Sequence, residues 1–289
     1  MSTNSQNANF IEALKNIEDF YIDNALTVWC PVADINLKFK PLSIQQIKQF
    51  IELQVSIEKD EYGIVPGLTL LHKLNVLIQE NCLDKVPELL KTLSTVDRDA
   101  ILLQLRANTK STLEIQEGET PVEVDLKEVL SNLKSCKFSK KLRTRNADIS
   151  SGSTTIDIKM EIPSIHHDNG INDYFVNNIA KPQLQKGRKQ VEGNVEKLLS
   201  NVYMVEMSKY ISQIAISKDT SKTVIDFRDI DNVENNIQIL EKLPTTVLSE
   251  ISLYIKDIKK YRDSVLSYTS TDNNKRIPID IDIAFFTSV

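Results

Sequence analysis

The stretch Phe39-Lys-Pro-Leu-Ser-Ile-Gln-Gln-Ile47 decides how this chain begins to fold. Ser43 stands where a helix N-cap belongs and Gln46 occupies the third helical position, which predicts a capping box. Leu42 before the cap and Ile47 after it are spaced for a hydrophobic staple. Ile44, Ile47, Ile51 and Val55 then predict one buried helical stripe. Phe39, Pro41 and Leu42 close a strand just ahead of this start. Together with Ser43 and Gln46 they form a structural motif whose job is architecture rather than chemistry.

Upstream, Leu26-Thr-Val-Trp-Cys30 and Ile35-Asn-Leu-Lys-Phe39 read as short strands joined through Pro31-Val-Ala-Asp34, a hairpin. Before them Phe10, Leu14, Ile17 and Tyr21 recur at helical spacing, predicting an arm behind polar residues that are expected to be disordered. Downstream, residues 68–93 predict two helical pieces broken near residues 81–84 and at Pro87. Ser94 and Asp97 repeat the capping pattern ahead of Ala100-Ile-Leu-Leu-Gln-Leu-Arg106. Residues 116–121 read as a loop and candidate domain boundary, and residues 126–133 as a short helix. Residues 146–153 read as a turn, and Thr155-Ile-Asp-Ile-Lys-Met-Glu-Ile162 alternates as a strand should.

The second half reads as mostly helical. Val191, Val195, Leu198, Val202 and Val205 form one seam spaced by alternating fours and threes. Val247, Ile251, Tyr254, Ile258, Tyr261, Val265 and Tyr268 form a longer one, with Pro244 near its start where a missing N–H is harmless. Packing within the chain is the default for such short seams, but Tyr254, Ile258 and Tyr261 are also the candidate contacts to a partner. Ile277-Pro-Ile-Asp-Ile-Asp-Ile-Ala-Phe-Phe286 closes the chain as an alternating strand.

These readings predict an α+β protein, predominantly helical, with a small N-terminal β-hairpin and short additional strands. The expected division is a polar segment and helical arm over 1–25, an α+β domain over 26–118, and a helix-rich domain with short strands over 119–289.

Composition narrows the chemistry. Only 7 glycines occur in 289 residues, too few to favour glycine-rich phosphate cradles. The net charge of -5 predicts no bulk attraction to nucleic acid or anionic membrane. Cys30, Cys82 and Cys136 are isolated thiols, which suits a reducing compartment and not a disulfide framework. The start MSTNSQNANF has no apolar signal core, and no window approaches a membrane span, so synthesis in the cytoplasm is expected.

No catalytic constellation emerges. His166-His-Asp168 lacks a third metal ligand at suitable spacing and reads as a polar loop leading into a helix near Asn172. Cys82 and Cys136 have no histidine brought to them, and no G-x-S-x-G elbow occurs. Asp157 and Glu161 share a strand face with Lys159 between them, the pattern of a half-exposed strand rather than a carboxylate pair. Lys134, Lys137, Lys140, Lys141, Arg143 and Arg145 form the strongest charge cluster. It reads first as a solvated surface or a patch for an acidic partner, and nucleic-acid binding through residues 134–145 is the alternative. Catalytic, cofactor-binding and metal-binding residues are all expected to be absent.

Four segments in order carry a resemblance. They are Val28-Trp-Cys-Pro-Val32 with Leu37-Lys-Phe-Lys-Pro-Leu42 and Ser43-Ile-Gln-Gln46; Val96-Asp-Arg-Asp-Ala-Ile-Leu-Leu-Gln-Leu-Arg106; Asp226-Phe-Arg228 with Ile239-Leu-Glu-Lys-Leu-Pro244 and the long helix after it; and Ile283-Ala-Phe-Phe286. In that order the chain resembles the T4-type bacteriophage baseplate hub subunit and hub assembly protein family. The resemblance implies a structural or assembly component of a contractile tail, made in the host cytoplasm and binding other tail or baseplate proteins. It carries over no catalytic residue. The chain is longer than the family's typical member at the N-terminus and near residues 140–160, which leaves open virion subunit or transient assembly factor.

Overall fold

The computed structural model describes residues 3–57, 64–117, 120–184, 201–270, 275–281 and 285. Strands β1 (Leu26–Cys30) and β2 (Ile35–Phe39) pair antiparallel in the predicted register, Cys30 facing Ile35 and Leu26 facing Phe39. Helix α2 (Ile44–Ile57) starts at the predicted capping box. The Ser43 N–H donates to Gln46 Oε1 at 3.0 Å, and the Gln46 N–H donates to Ser43 Oγ at 3.2 Å. Gln46 Nε2 also donates to Asn81 Oδ1 at 2.9 Å, tying this start to the end of α3 (Ile64–Asn81). The break after α3 has its own use. Lys40 N–H donates to Asn81 O and Leu83 N–H to Lys38 O, both at 2.8 Å, so residues 81–83 extend the ladder beyond β2.

The predicted α2 stripe is displaced. Ile44 and Ile51 are exposed, whereas Phe50 and Leu53 are buried and Ile47 is half-buried. The face set by Ile47, Phe50 and Leu53 turns inward because aromatic burial there outweighs that of two isoleucines one step round the helix. The Val55 side chain lies outside the described residues. Helix α1 (Thr3–Asp23) contains the predicted arm from Phe10 and begins earlier, at Thr3, among polar residues expected to be disordered.

After the short α4 (Leu89–Thr92) comes α5 (Thr95–Thr109), the centre of the molecule. Ser94 caps it, and Asp97 completes a capping box. The same Asp97 carboxylate accepts from the Val32 N–H at 2.8 Å and the Ala33 N–H at 3.3 Å, locking the hairpin turn onto the helix. Burial pushes its carboxyl up; the bonds from Ser94, Val32 and Ala33 pull the other way. Farther along, Gln104 pairs with both backbone groups of Trp29, at 2.9 and 2.8 Å, and so occupies the open edge of β1.

Of residues 116–121, expected as a loop, the described ones lie instead on paired strands, β3 (Thr112–Glu117) with β4 (Thr120–Asp125). It is followed by α6 (Leu126–Ser135) and α7 (Lys140–Arg143). The expected turn over 146–153 is mostly strand: β5 (Thr144–Ser151) turns only at Gly152 and Ser153 into β6 (Thr154–Glu161). Gly152 supplies the positive φ of 60° that this turn needs. Strands β7 (Ile211–Lys218) and β8 (Ser221–Asp226) complete an antiparallel sheet in the order β5-β6-β7-β8. The second half therefore holds the largest sheet, alongside helices that still make up most of its described secondary structure. Helices α8 (Ile165–Tyr174), α9 (Lys181–Leu184) and α10 (residues 201–209) lie between β6 and β7.

Helices α11 (Val233–Leu240) and α12 (Thr245–Val265) follow β8. Strands β9 (Ser267–Thr269) and β10 (Arg276–Pro278) then pair as a short hairpin; of the predicted closing strand over 277–286 only Ile277 and Pro278 are strand, residues 279–281 are not, and most of the rest lies outside the described residues. One core cluster runs from Val28 to Phe285 and draws side chains from both sides of residue 118. A smaller one joins Ile171, Phe175, Val205, Val233 and Ile237.

Candidate functional site

Four helices bring a network of charges together inside this body. Asp168 sits in the first turn of α8, which Ser164 caps by accepting from the His167 N–H at 3.2 Å. Arg98 of α5 donates to Asp168 Oδ2 at 2.8 Å, and Lys209 at the end of α10 reaches Oδ1 at 3.0 Å. All three side chains are buried. The network extends outward through Lys209–Glu206 at 2.5 Å, Arg98–Asp99 at 3.5 Å and Asp99–Arg262 of α12 at 2.7 Å. A cleft of about 400 Å³ opens over it, lined by Tyr210, Lys259 and Asp280 besides these charges.

Burial alone would push the Asp168 carboxyl up, but Lys209 and Arg98 outweigh it and hold the pKa at about 2. Lys209 is raised in turn by Asp168 and Glu206 against its own burial cost. Asp168 and Lys209 therefore stay charged at neutral pH, so neither is poised to exchange a proton there. The cleft walls carry Arg98, Lys209, Lys259 and Arg262 against Asp99, Asp168, Glu206 and Asp280, a balance that gives no net attraction for an ion. The network's physical effect is to fix how α5, α8, α10 and α12 meet. His167 beside it is buried with both ring nitrogens unpartnered among the described residues. Burial, with Arg228 nearby, lowers its pKa to about 4.

The reading of residues 166–168 as a polar loop is thus corrected: they begin a helix, and two of the three are buried. Arg98, Lys209 and Arg262 had no signal of their own as charges on helices. The signal was indirect, since Ala100 to Leu105 is nearly unbroken apolar sequence, and a helix buried all round must bury the charges beside it.

Tyr254, Ile258 and Tyr261 are withdrawn as partner contacts. They lie in the core at 0%, 4% and 9% exposure, covered by the chain itself. The Tyr254 hydroxyl donates to the carbonyls of Leu142 and Arg143 at 2.9 and 3.1 Å, and the Tyr261 hydroxyl to that of Cys136 at 3.3 Å. In the other seam Val205 is buried and Val202 half-buried, while Val191, Val195 and Leu198 lie outside the described residues. Phe39, Pro41, Leu42, Ser43 and Gln46 sit together at the end of β2 and the start of α2, Phe39 fully buried.

The basic stretch splits in two. Arg145 is committed to Asp257 at 2.5 Å and lies 5.2 Å over the Tyr254 ring, and Arg143 donates to the Val32 carbonyl. Lys134, Lys137, Lys140 and Lys141 are exposed. The first three line a groove of about 600 Å³ with Trp29, Phe138 and Arg143. Cys30 is buried and its thiol raised by burial, unlike an activated nucleophile. On β6, Lys159 pairs with Glu161 at 2.6 Å, and Arg228 pairs with the same carboxylate. Among the described residues no group of three or more His, Cys, Asp or Glu converges as a metal site, and no helix is long and apolar enough to cross a membrane.

The surface feature that stands apart is α1. Phe10, Ile11, Leu14, Ile17 and Phe20 are exposed by 63%, 66%, 50%, 53% and 61%. None of its described side chains belongs to either core cluster. Near its base Glu18 reaches Lys40 at 3.5 Å.

The four segments of the resemblance meet around α5. Asp97 holds Val32 of the first, Arg262 of the helix after the third holds Asp99, and Arg106 Nε donates to the Phe285 carbonyl at 2.8 Å. No family model, curated protein or solved structure matches the chain.

Proposed function

We propose that this chain is a structural or assembly component of a contractile phage-tail baseplate hub, working by binding other tail proteins and not by catalysis. One observation carries the binding role: α1 holds a line of large apolar side chains outside the body of its own chain. A soluble monomer rarely leaves a contiguous stripe of this kind uncovered. The family resemblance supplies the partners' class, and assembly would take place in the host cytoplasm.

The test is mass spectrometry of purified particles beside a pull-down from infected cells. Tail proteins in the pull-down support the reading. Their presence there with the chain missing from particles marks a transient assembly factor. Finding no tail protein in either refutes it.

A second reading, binding of a polyanion such as nucleic acid, is favoured by the groove that joins Trp29 and Phe138 to Lys134, Lys137 and Lys140. Retention on heparin that weakens steeply with salt supports it; no retention at low salt removes it.

A further inference from the structure

We infer that the basic groove beside the first hairpin is one part of a longer track, and that the track binds single-stranded nucleic acid. The inference rests on the polyanion reading of that groove. A second groove, of about 310 Å³, lies between the start of β1, the later part of α5 and one face of α6, and Lys134 lines both. Together they follow β1 from Leu26 towards the turn at Asp34, with α6 and the loop after it as the opposite wall.

Lys127, Lys134, Lys137 and Lys140 line this path. All four are exposed, and none makes an ion pair among the described residues. Lys127 and Lys134 stand seven residues apart on α6, roughly 10 Å along its axis, so the charges are strung out and do not converge on one point. Asp34 is the only carboxylate among the described residues that line the two grooves. The chain as a whole carries -5, so the positive excess is local. A third groove, of about 310 Å³, continues past Arg143, but there Glu88 holds Lys91 and Glu161 holds Arg228, which ends the free charge. Nor does the chain carry its own counter-charge for the track. The most acidic stretch outside the described residues, 58–63, sets Glu58, Asp60 and Glu61 against Lys59, too little to neutralise four lysines.

A line of unpaired cations selects an extended polyanion over a small ion, and the rings among them select its kind. Trp29 and Phe138 line the wide groove, and Phe138 is fixed edge-on to the Tyr261 ring at 5.0 Å. Flat rings alternating with anionic groups are the repeat of a nucleotide chain, whereas an acidic peptide brings charge without a ring in each unit. Only unpaired bases can lay a face on these side chains, because each base of a duplex is covered by its neighbours. Arg143, which also lines the wide groove, already donates to the Val32 carbonyl. The free charges are therefore lysine ammoniums, point charges of the kind that hold a phosphate backbone without reading its sequence.

The test is titration of the full chain, at several salt concentrations, with an oligothymidylate of about 12 nucleotides, a length within the range of single-stranded sites. Trp29 is the only tryptophan in the sequence, so its fluorescence reports on the groove itself. Binding should quench it, and the affinity should fall with salt at a log–log slope of about -3, roughly 0.7 for each of four phosphate contacts. Lys127→Ala and Lys140→Ala, towards opposite ends of the path, should each take about 0.7 off that slope and weaken low-salt binding about fivefold. Both positions are exposed, so the variants should keep the far-UV circular dichroism of the parent, and Lys222→Ala on β8 should change neither slope nor affinity. A duplex of the same length, and polyglutamate, should bind more weakly and leave Trp29 unquenched. Equal binding of either, or no quenching by the oligothymidylate it binds, overturns the inference and leaves the polyanion reading in place. A Lys127→Ala variant that binds like the parent does the same, because it confines the ligand to the wide groove. No binding of any of the three probes at low salt sinks both.

Discussion

Helices α1 and α12 carry nearly the same pattern and meet opposite fates. Phe10, Leu14, Ile17 and Tyr21 on one, and Val247, Ile251, Tyr254, Ile258, Tyr261 and Val265 on the other, repeat in steps of four and three. The α12 seam is buried throughout, while Phe10, Leu14 and Ile17 of the α1 seam are at least half exposed. Periodicity thus shows that a stripe exists and says nothing of what covers it. What distinguishes the two is their surroundings. Around α12 lie carbonyls that accept from Tyr254 and Tyr261, the Arg145 guanidinium, and Asp99 for Arg262. Around α1 the described residues show one ion pair, Glu18 with Lys40 at its base.

The largest expected effect lies on the covered side, where α12 joins the buried charges. Asp168→Ala leaves Arg98 and Lys209 inside the body without their shared anion. Loss of one partner from such a network costs about 3–5 kcal/mol. Urea denaturation should show that loss, or no folded protein at all. A loss below about 1 kcal/mol would mean that the network is solvated and does not pin the helices.

Tyr254→Ala attacks the seam itself. It removes a fully buried ring and two hydrogen bonds to the Leu142 and Arg143 carbonyls of α7, at an expected cost of about 3–5 kcal/mol. Tyr254→Phe keeps the ring and should cost only about 1 kcal/mol, the worth of the hydroxyl. Equal losses from both would show that the hydroxyl, not the packing, closes the seam.

Acid should open the covered side first. His167 has a pKa of about 4 in the fold against its ordinary 6.5. Between those values the unfolded chain binds the extra proton, so stability rises with pH across this window and falls as acid is added. The loss from pH 7 to pH 4 is at most about 3 kcal/mol for this one group. Asp168, held at about 2 against an ordinary 3.8, contributes stability that is present above 3.8 and lost as pH falls towards 2. His167→Leu removes two unpartnered ring nitrogens, and should flatten the pH 4 to 6.5 slope without destabilising the protein at pH 7. An unchanged slope in that variant would assign the acid response to other groups.

The parts legible in the sequence were those set by short-range chemistry. Ser43 with Gln46 and Ser94 with Asp97 are pairs three residues apart, and both close as capping boxes. The first hairpin was legible because its strands and turn are contiguous. The sheet β5-β6-β7-β8 was not. Asn146, Asp148, Ser150 and Ser151 look like turn residues, and they form a strand because β6 supplies the ladder that local propensity lacks. The buried network was hidden for a related reason. Its members come from four helices, with 70 residues between Arg98 and Asp168, so no spacing rule connects them. The uncovered state of α1 was equally invisible, because a stripe reads the same whether its partner is the same chain or another.

The smallest expected effect is therefore the most telling, because it repeats one chemical change on both sides of the comparison. Ile258→Ala and Ile17→Ala delete the same atoms from helices of 21 residues each. Ile258 is 4% exposed and its loss leaves a cavity, which costs about 2–5 kcal/mol. Ile17 is 53% exposed and leaves none, so at concentrations where the chain is monomeric the change should stay within about 0.5 kcal/mol. Alanine also favours the helix slightly over isoleucine, which pushes the Ile17 value towards zero. The difference should be read from urea denaturation of dilute protein. A full core-like penalty at dilution would instead place Ile17 against its own body and erase the contrast between α1 and α12.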